Sequence, residues 1–93
     1  MLGAGVTEIL TMLAKEGLES ELLDIPIYVP LSSSCISIAE YHVRTRIMVL
    51  TMARGGERYE YADVPIPTFL GLVTASSAGA YYNAVIRDRF SVP

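Results

Sequence analysis

Cysteine, histidine and lysine are almost missing from this chain of 93 residues: Cys35, His42 and Lys15 stand alone in their kinds. A single cysteine excludes an internal disulfide and every cysteine-cluster metal site. Cys35 and His42 lie seven positions apart along one extended segment. No acid stands at a spacing that would complete a nucleophilic pair with them. Paired carboxylates and metal-ligand clusters are missing too, and Gly79 is one glycine rather than a phosphate-binding loop. These absences argue against enzymatic function and call for no cofactor. Long apolar runs are also lacking; none approaches the roughly 20 residues that span a bilayer, so no membrane association is expected. The first residues carry no basic region, against a signal peptide, and Leu2 rather than Gly follows Met1, against myristoylation. A reducing interior, the cytoplasm of a bacterium or a phage-infected cell, or a virion, is the expected setting.

Charge is scarce as well. Charged residues make up 18% of the chain and hydrophobic ones 52%, where an ordinary domain carries about 25% charged residues. Mean hydropathy is +0.41. A chain this short has much surface per residue and ought to be more polar than average. The excess of apolar residues is explained if part of the surface is buried against other chains. The formal charge of −3 is unevenly spread. Residues 1–40 hold Lys15 against six acids, or −5; residues 41–93 hold six arginines against four acids, or +2. Such halves attract each other within a chain or between copies, or serve as two solvated faces.

The pattern along the chain predicts an α+β domain. Val6, Ile9, Leu10 and Leu13 recur at helical spacing, with Gly17 as the stop, so a helix is expected over 6–16. "IPIYVP" has prolines at 26 and 30 and reads as an extended arm or edge strand. "SSSCISIAEYHV" alternates as a strand, with Ile36 and Ile38 expected on one face and Ser37, Ala39 and Tyr41 on the other. "RIMVLTMA" is a second strand, apolar on both faces and so expected to be covered on both. Gly55-Gly56 makes a hairpin connection to a third strand, "RYEYADV". Pro65 and Pro67 open a helical stretch to Ala75, and Ser77 caps a last helix over 78–90 with Tyr82, Val85, Ile86 and Phe90 on its apolar arc. The expected architecture is a three-stranded antiparallel meander followed by two helices and preceded by an N-terminal helix and extended arm.

Residues 32–90 resemble the KTSC domain family. The resemblance rests on Ser33-Ser34 before Ile36, on Tyr59-Glu60-Tyr61, on Asp63-Val64-Pro65, and on Ser77-Ala78-Gly79-Ala80-Tyr81-Tyr82-Asn83 followed by Ile86-Arg87 and Phe90. Where family members carry an aromatic near the end of the second strand, this chain has Thr51 and Met52. The family is named for its occurrence at the C-terminus of some lysyl-tRNA synthetases and is also met in stand-alone bacterial and phage proteins. The resemblance implies the fold of residues 32–93, with residues 1–31 as an extension. It brings a suggestion of RNA binding and no enzymatic role.

Two functions follow as expectations. In the first, the chain is a small interaction or structural subunit, self-associating or joined to another protein of an assembly such as a phage particle. Its contacts would come from Val6, Ile9, Leu10 and Leu13 and from the arm residues Ile27 and Tyr28, as a helix in a groove or a strand added to a sheet edge. In the second, it binds RNA or a nucleotide, with Tyr59 and Tyr61 stacking bases and Arg44, Arg46 and Arg58 nearby. Two aromatics beside an apolar helix are more often core, and the overall acidity works against phosphate binding.

Overall fold

The computed structural model of the protein describes Glu8, Thr11 and residues 24–90. The helix expected over 6–16, with Val6, Ile9, Leu10 and Leu13, therefore lies outside the described residues but for Glu8 and Thr11, which do not establish it. The described chain forms a four-stranded antiparallel sheet in sequential order, β1 (Ile27–Pro30), β2 (Ile36–His42), β3 (Ile47–Met52) and β4 (Arg58–Tyr61). Helix α1 (Ile66–Thr74), helix α2 (Ala78–Tyr81) and a π-helical turn (Tyr82–Ile86) follow.

The strand count corrects the expectation of three. The arm is β1: Ile27 faces Tyr41 and Val29 faces Ala39. Pro26 and Pro30 permit this because proline is tolerated at a sheet edge.

The meander is joined by two turns of different chemistry. Gly55 and Gly56 connect β3 to β4 with φ of 78° and 70°, positive values that match the right-handed twist of a hairpin and suit glycine. Met52 N–H donates to Glu57 O across it at 2.8 Å. The β2–β3 turn places Arg46 at φ 61°. Its strain is held by two backbone bonds, Arg46 N–H to His42 O at 2.8 Å and Val64 N–H to Arg46 O at 2.9 Å.

Strand β2 departs from simple alternation. Its register against β3 slips between Ile36 and Ile38, Ile36 facing Met52 and Ile38 facing Thr51. One extra residue is accommodated there, as in a β-bulge. Ile36 thereby joins Ala39 and Tyr41 in the core, while Ile38 is left 39% exposed on the opposite face. The expectation that Ile36 and Ile38 share a face is overturned by this bulge.

The core lies between one sheet face and the helices. Tyr41, Met48, Leu50 and Tyr61 meet Phe69, Leu72, Tyr82 and Ile86 there. Tyr41 stacks on Phe69 with centroids 4.9 Å apart, and its hydroxyl donates to Val64 O at 2.6 Å, so one ring supplies both apolar area and a satisfied polar tip. Pro65 stands at the N-cap of α1 and Pro67 in its first turn, where a missing N–H costs nothing. Ser77 caps α2 as expected, its Oγ accepting from Ala80 N–H at 3.2 Å.

The last helix is not one α-helix to residue 90. Arg87 N–H reaches back to Tyr82 O at 2.8 Å, the five-residue spacing of a π-turn, and the helical course ends there. Asp88 then takes φ 62°. The predicted apolar arc survives: Tyr82 and Ile86 are buried, and Val85 and Phe90 pack against the core.

Candidate functional site

The two tyrosines of β4 share a face, as their spacing requires, but their positions along it separate them. Tyr61, opposite Met48, is buried, and Tyr59, opposite Leu50 and nearer the hairpin, is 45% exposed. The Tyr61 ring meets Tyr82 edge-on at 6.4 Å, and the two hydroxyls lie 2.8 Å apart in a buried hydrogen bond. Burial, and then the Tyr82 hydroxyl, push the Tyr61 phenol above its ordinary value. A ring so placed cannot stack on a base. This corrects Tyr61 as a nucleic-acid contact and leaves Tyr59 as the one accessible aromatic of the pair.

The arginines are dispersed. Arg44 Nε pairs with Asp24 at 2.7 Å. Arg46 is an exposed turn residue between β2 and β3. Arg58 Nη2 donates to Glu40 Oε1 at 3.1 Å. Arg44 and Arg58 thus already have carboxylate partners, and Arg46 belongs to the turn before β3, apart from Arg58 at the start of β4.

Glu40 is the residue that sequence reasoning missed. It is buried on the sheet face opposite the core, next to Val49. Its second oxygen contacts His42 Nε2 at 2.5 Å. The acid partner of His42 is therefore two residues away on the same strand, and period-two spacing alone places them on one face. The arrangement satisfies a buried carboxylate with two partners, as burial of charge demands. Cys35 is separate from this cluster. It packs against Gly79, where an added Cβ would come within 3.2 Å of the Cys35 Cβ, so Gly79 serves close packing.

A cleft of about 490 Å³ opens between the β1–β2 connection and the α1–α2 loop. Leu31, Ser33, Leu72 and Ser77 are among its lining residues, and among the described residues no charged side chain lines it. Ser33 Oγ is occupied by Cys35 N–H and Ile36 N–H, and Ser77 Oγ by the cap. The described lining thus offers no cation to a phosphate, and α2 has four residues, too short to provide a helix-end field of consequence.

Along β1, beside this cleft, the apolar surface is conspicuous. Ile25, Ile27 and Tyr28 are 57%, 42% and 61% exposed, and Ile38 lies on the adjoining strand. Ile27 and Tyr28, expected as interaction residues, are accessible. The backbone of β1 is less so. Leu31 N–H donates to Ser37 O at 2.9 Å, and antiparallel pairs alternate between bonded and unbonded. Ile27 and Val29 therefore turn their amides toward β2, and Pro26, Tyr28 and Pro30 face outward. Prolines have no N–H, so Tyr28 is the one outward donor on β1. Addition of a neighbour's strand to this edge is blocked after one residue, which corrects the expectation of strand addition by the arm.

Taken together, the sheet order and helix placement define a small α+β domain of one sheet and one helical layer. The KTSC domain family profile matches residues 32–90, and the chain belongs to that family. A Tsukamurella paurometabola protein is 36% identical over 61 residues, covering 66% of this chain and 90% of its relative. The crystal structure of a KTSC domain protein from Yersinia pestis superposes with a TM-score of 0.68 at 26% identity, covering 74% of this chain and 96% of that one. No helix among the described residues is long and apolar enough to cross a membrane.

Proposed function

We propose that this protein is a non-enzymatic interaction subunit that works by self-association or within a larger protein assembly. The observation that carries the reading is the run of exposed apolar side chains along the β1 edge, Tyr28 and Ile38 on the sheet face away from the core, Ile27 on the other face and Ile25 just before the strand, in a chain whose charged content is low. Large apolar side chains exposed together along one edge mark contact surfaces. Side-chain burial rather than strand addition is the mode of contact, because prolines blunt the edge beneath. Binding of RNA or a nucleotide is the weaker reading: Tyr61 is in the core, and Arg44 and Arg58 are paired with acids.

Removing residues 1–31 would not test this cleanly, since β1 is part of the sheet. The better test is Ile25→Ser with Tyr28→Ser, followed by size exclusion with light scattering and absorbance at 260 and 280 nm. A multiple of the 10.1 kDa chain mass that is lost in the double variant supports the reading. A monomer carrying excess absorbance at 260 nm sinks it in favour of a nucleotide or RNA ligand.

A further inference from the structure

The opposite edge of the sheet is built differently. Met52 N–H donates to Glu57 O at 2.8 Å, so Leu50–Tyr59 and Met48–Tyr61 are the bonded pairs of the β3–β4 ladder. Arg58 and Glu60 therefore turn both N–H and C=O outward, and neither is proline. Arg58, Tyr59 and Glu60 are all exposed. The side chains of Arg58 and Glu60 stand on one face and that of Tyr59 on the other.

We propose that β4 pairs with β4 of a second copy, antiparallel about a two-fold axis through Tyr59, to make one continuous sheet across the dimer. The occupant follows from the charge pattern. A two-fold axis makes the strand meet itself reversed. Centring it on residue 58 sets Arg58 against Arg58, and centring it on residue 60 sets Glu60 against Glu60; like charges directly opposite are unfavourable. Centring it on residue 59 sets Arg58 of each copy against Glu60 of the other. In that register both facing pairs use outward-turned backbone, each exchanging two N–H···O bonds.

Tyr59 then faces its own symmetry mate in the unbonded position between them, where side chains are closest and aromatic pairs contribute most. This gives a role to a large ring left 45% exposed. In the free chain Arg58 leans across β3 to Glu40, with its side chain 61% exposed; in the dimer it swings outward to Glu60 of the second copy, while Glu40 keeps its contact with His42. The same charges that repel a random strand thus admit one partner in one register. This surface is separate from the apolar arm, and the two can fail independently.

The test is a charge exchange. Sedimentation velocity is run on the full chain at concentrations up to on the order of 1 mM, because a short edge makes a modest interface. Wild type is expected to reach twice the 10.1 kDa chain mass. Glu60→Arg alone and Arg58→Glu alone are each expected to weaken the dimer about tenfold or more, every facing pair then being alike in sign. Mixing the two variants restores it, because each facing pair becomes Glu opposite Arg. Tyr59→Cys in the otherwise natural chain is expected to cross-link on mild oxidation, since unbonded antiparallel partners lie at about the Cα spacing a disulfide needs. This second variant leaves Arg58 and Glu40 unchanged. A wild-type monomer throughout the range, a dimer indifferent to both single charge variants, or folded single variants that do not pair on mixing would each overturn the proposal. A dimer lost in the Ile25→Ser, Tyr28→Ser variant but indifferent to charge at 58 and 60 would overturn it while supporting the arm.

Discussion

Replacing Tyr61 by phenylalanine removes one oxygen and strands another. The Tyr61 and Tyr82 hydroxyls bond to each other at 2.8 Å in a buried setting. Tyr61→Phe leaves the Tyr82 hydroxyl without that partner, and Tyr82→Phe does the same to Tyr61. An unmatched buried polar group costs about 1–3 kcal/mol, against about 1 kcal/mol for the net worth of a satisfied bond. Each single variant is therefore expected to lose about 1–2 kcal/mol. The double variant removes both polar atoms and keeps both rings, so it should lose less than the sum of the two, with a coupling of about 1 kcal/mol. For a domain of this size each kcal/mol moves Tm by about 4–8 °C. Thermal and urea unfolding of all four proteins closes the cycle. If the two single losses simply add, the hydroxyl pair is not coupled and Tyr61 is not a sealed core residue. The pH dependence gives a second reading. Tyr61 has its folded pKa raised above the unfolded value of 10.0, chiefly by burial. Below pH 10 both states keep the proton and stability is unaffected. Above it the unfolded chain ionises first, so stability falls as pH rises. Tyr61→Phe should flatten that fall, which alkaline unfolding curves followed by phenolate absorbance would show.

Three further outcomes are expected. Gly56→Ala, at φ 70°, should cost about 1 kcal/mol through its left-handed backbone, with little contact penalty because nothing lies within 4 Å of the added Cβ; urea midpoints decide it. Ser77→Ala should cost about 1 kcal/mol by removing the cap on Ala80 N–H, whereas Ser34→Ala should be near neutral. Tyr41→Phe loses the bond to Val64 O and leaves that carbonyl short of a donor, so a loss of about 1–2 kcal/mol is expected by thermal unfolding, with the stacking on Phe69 retained.

Much of this protein was legible in its residues because the signals are local. Gly55-Gly56 announced a hairpin, Pro65 and Pro67 a helix start, and Ser77 a cap, each through a backbone requirement met within a few residues. The motif run from Ser33 to Phe90 identified the family, and an apolar run marked residues 47–52 as a strand. What was not legible depended on partners distant in sequence. The prolines of 26–30 left an extended arm or an edge strand open, and the edge that β2 offers decided for the strand. Ile36 and Ile38 parted company because the register of β3 inserted a bulge that alternation cannot foresee. Tyr59 and Tyr61 illustrate the division most directly. Their spacing dictated a common face, and composition dictated that such a face would be apolar. Which ring is sealed and which is left at the rim was decided by where Tyr82 reaches the sheet, a tertiary contact between residues 21 apart. Charge followed the same rule: the sequence determined that Arg58 and Glu60 stand on one side of β4, and the tertiary structure determined that β4 is an edge, so that their order could matter to a second copy.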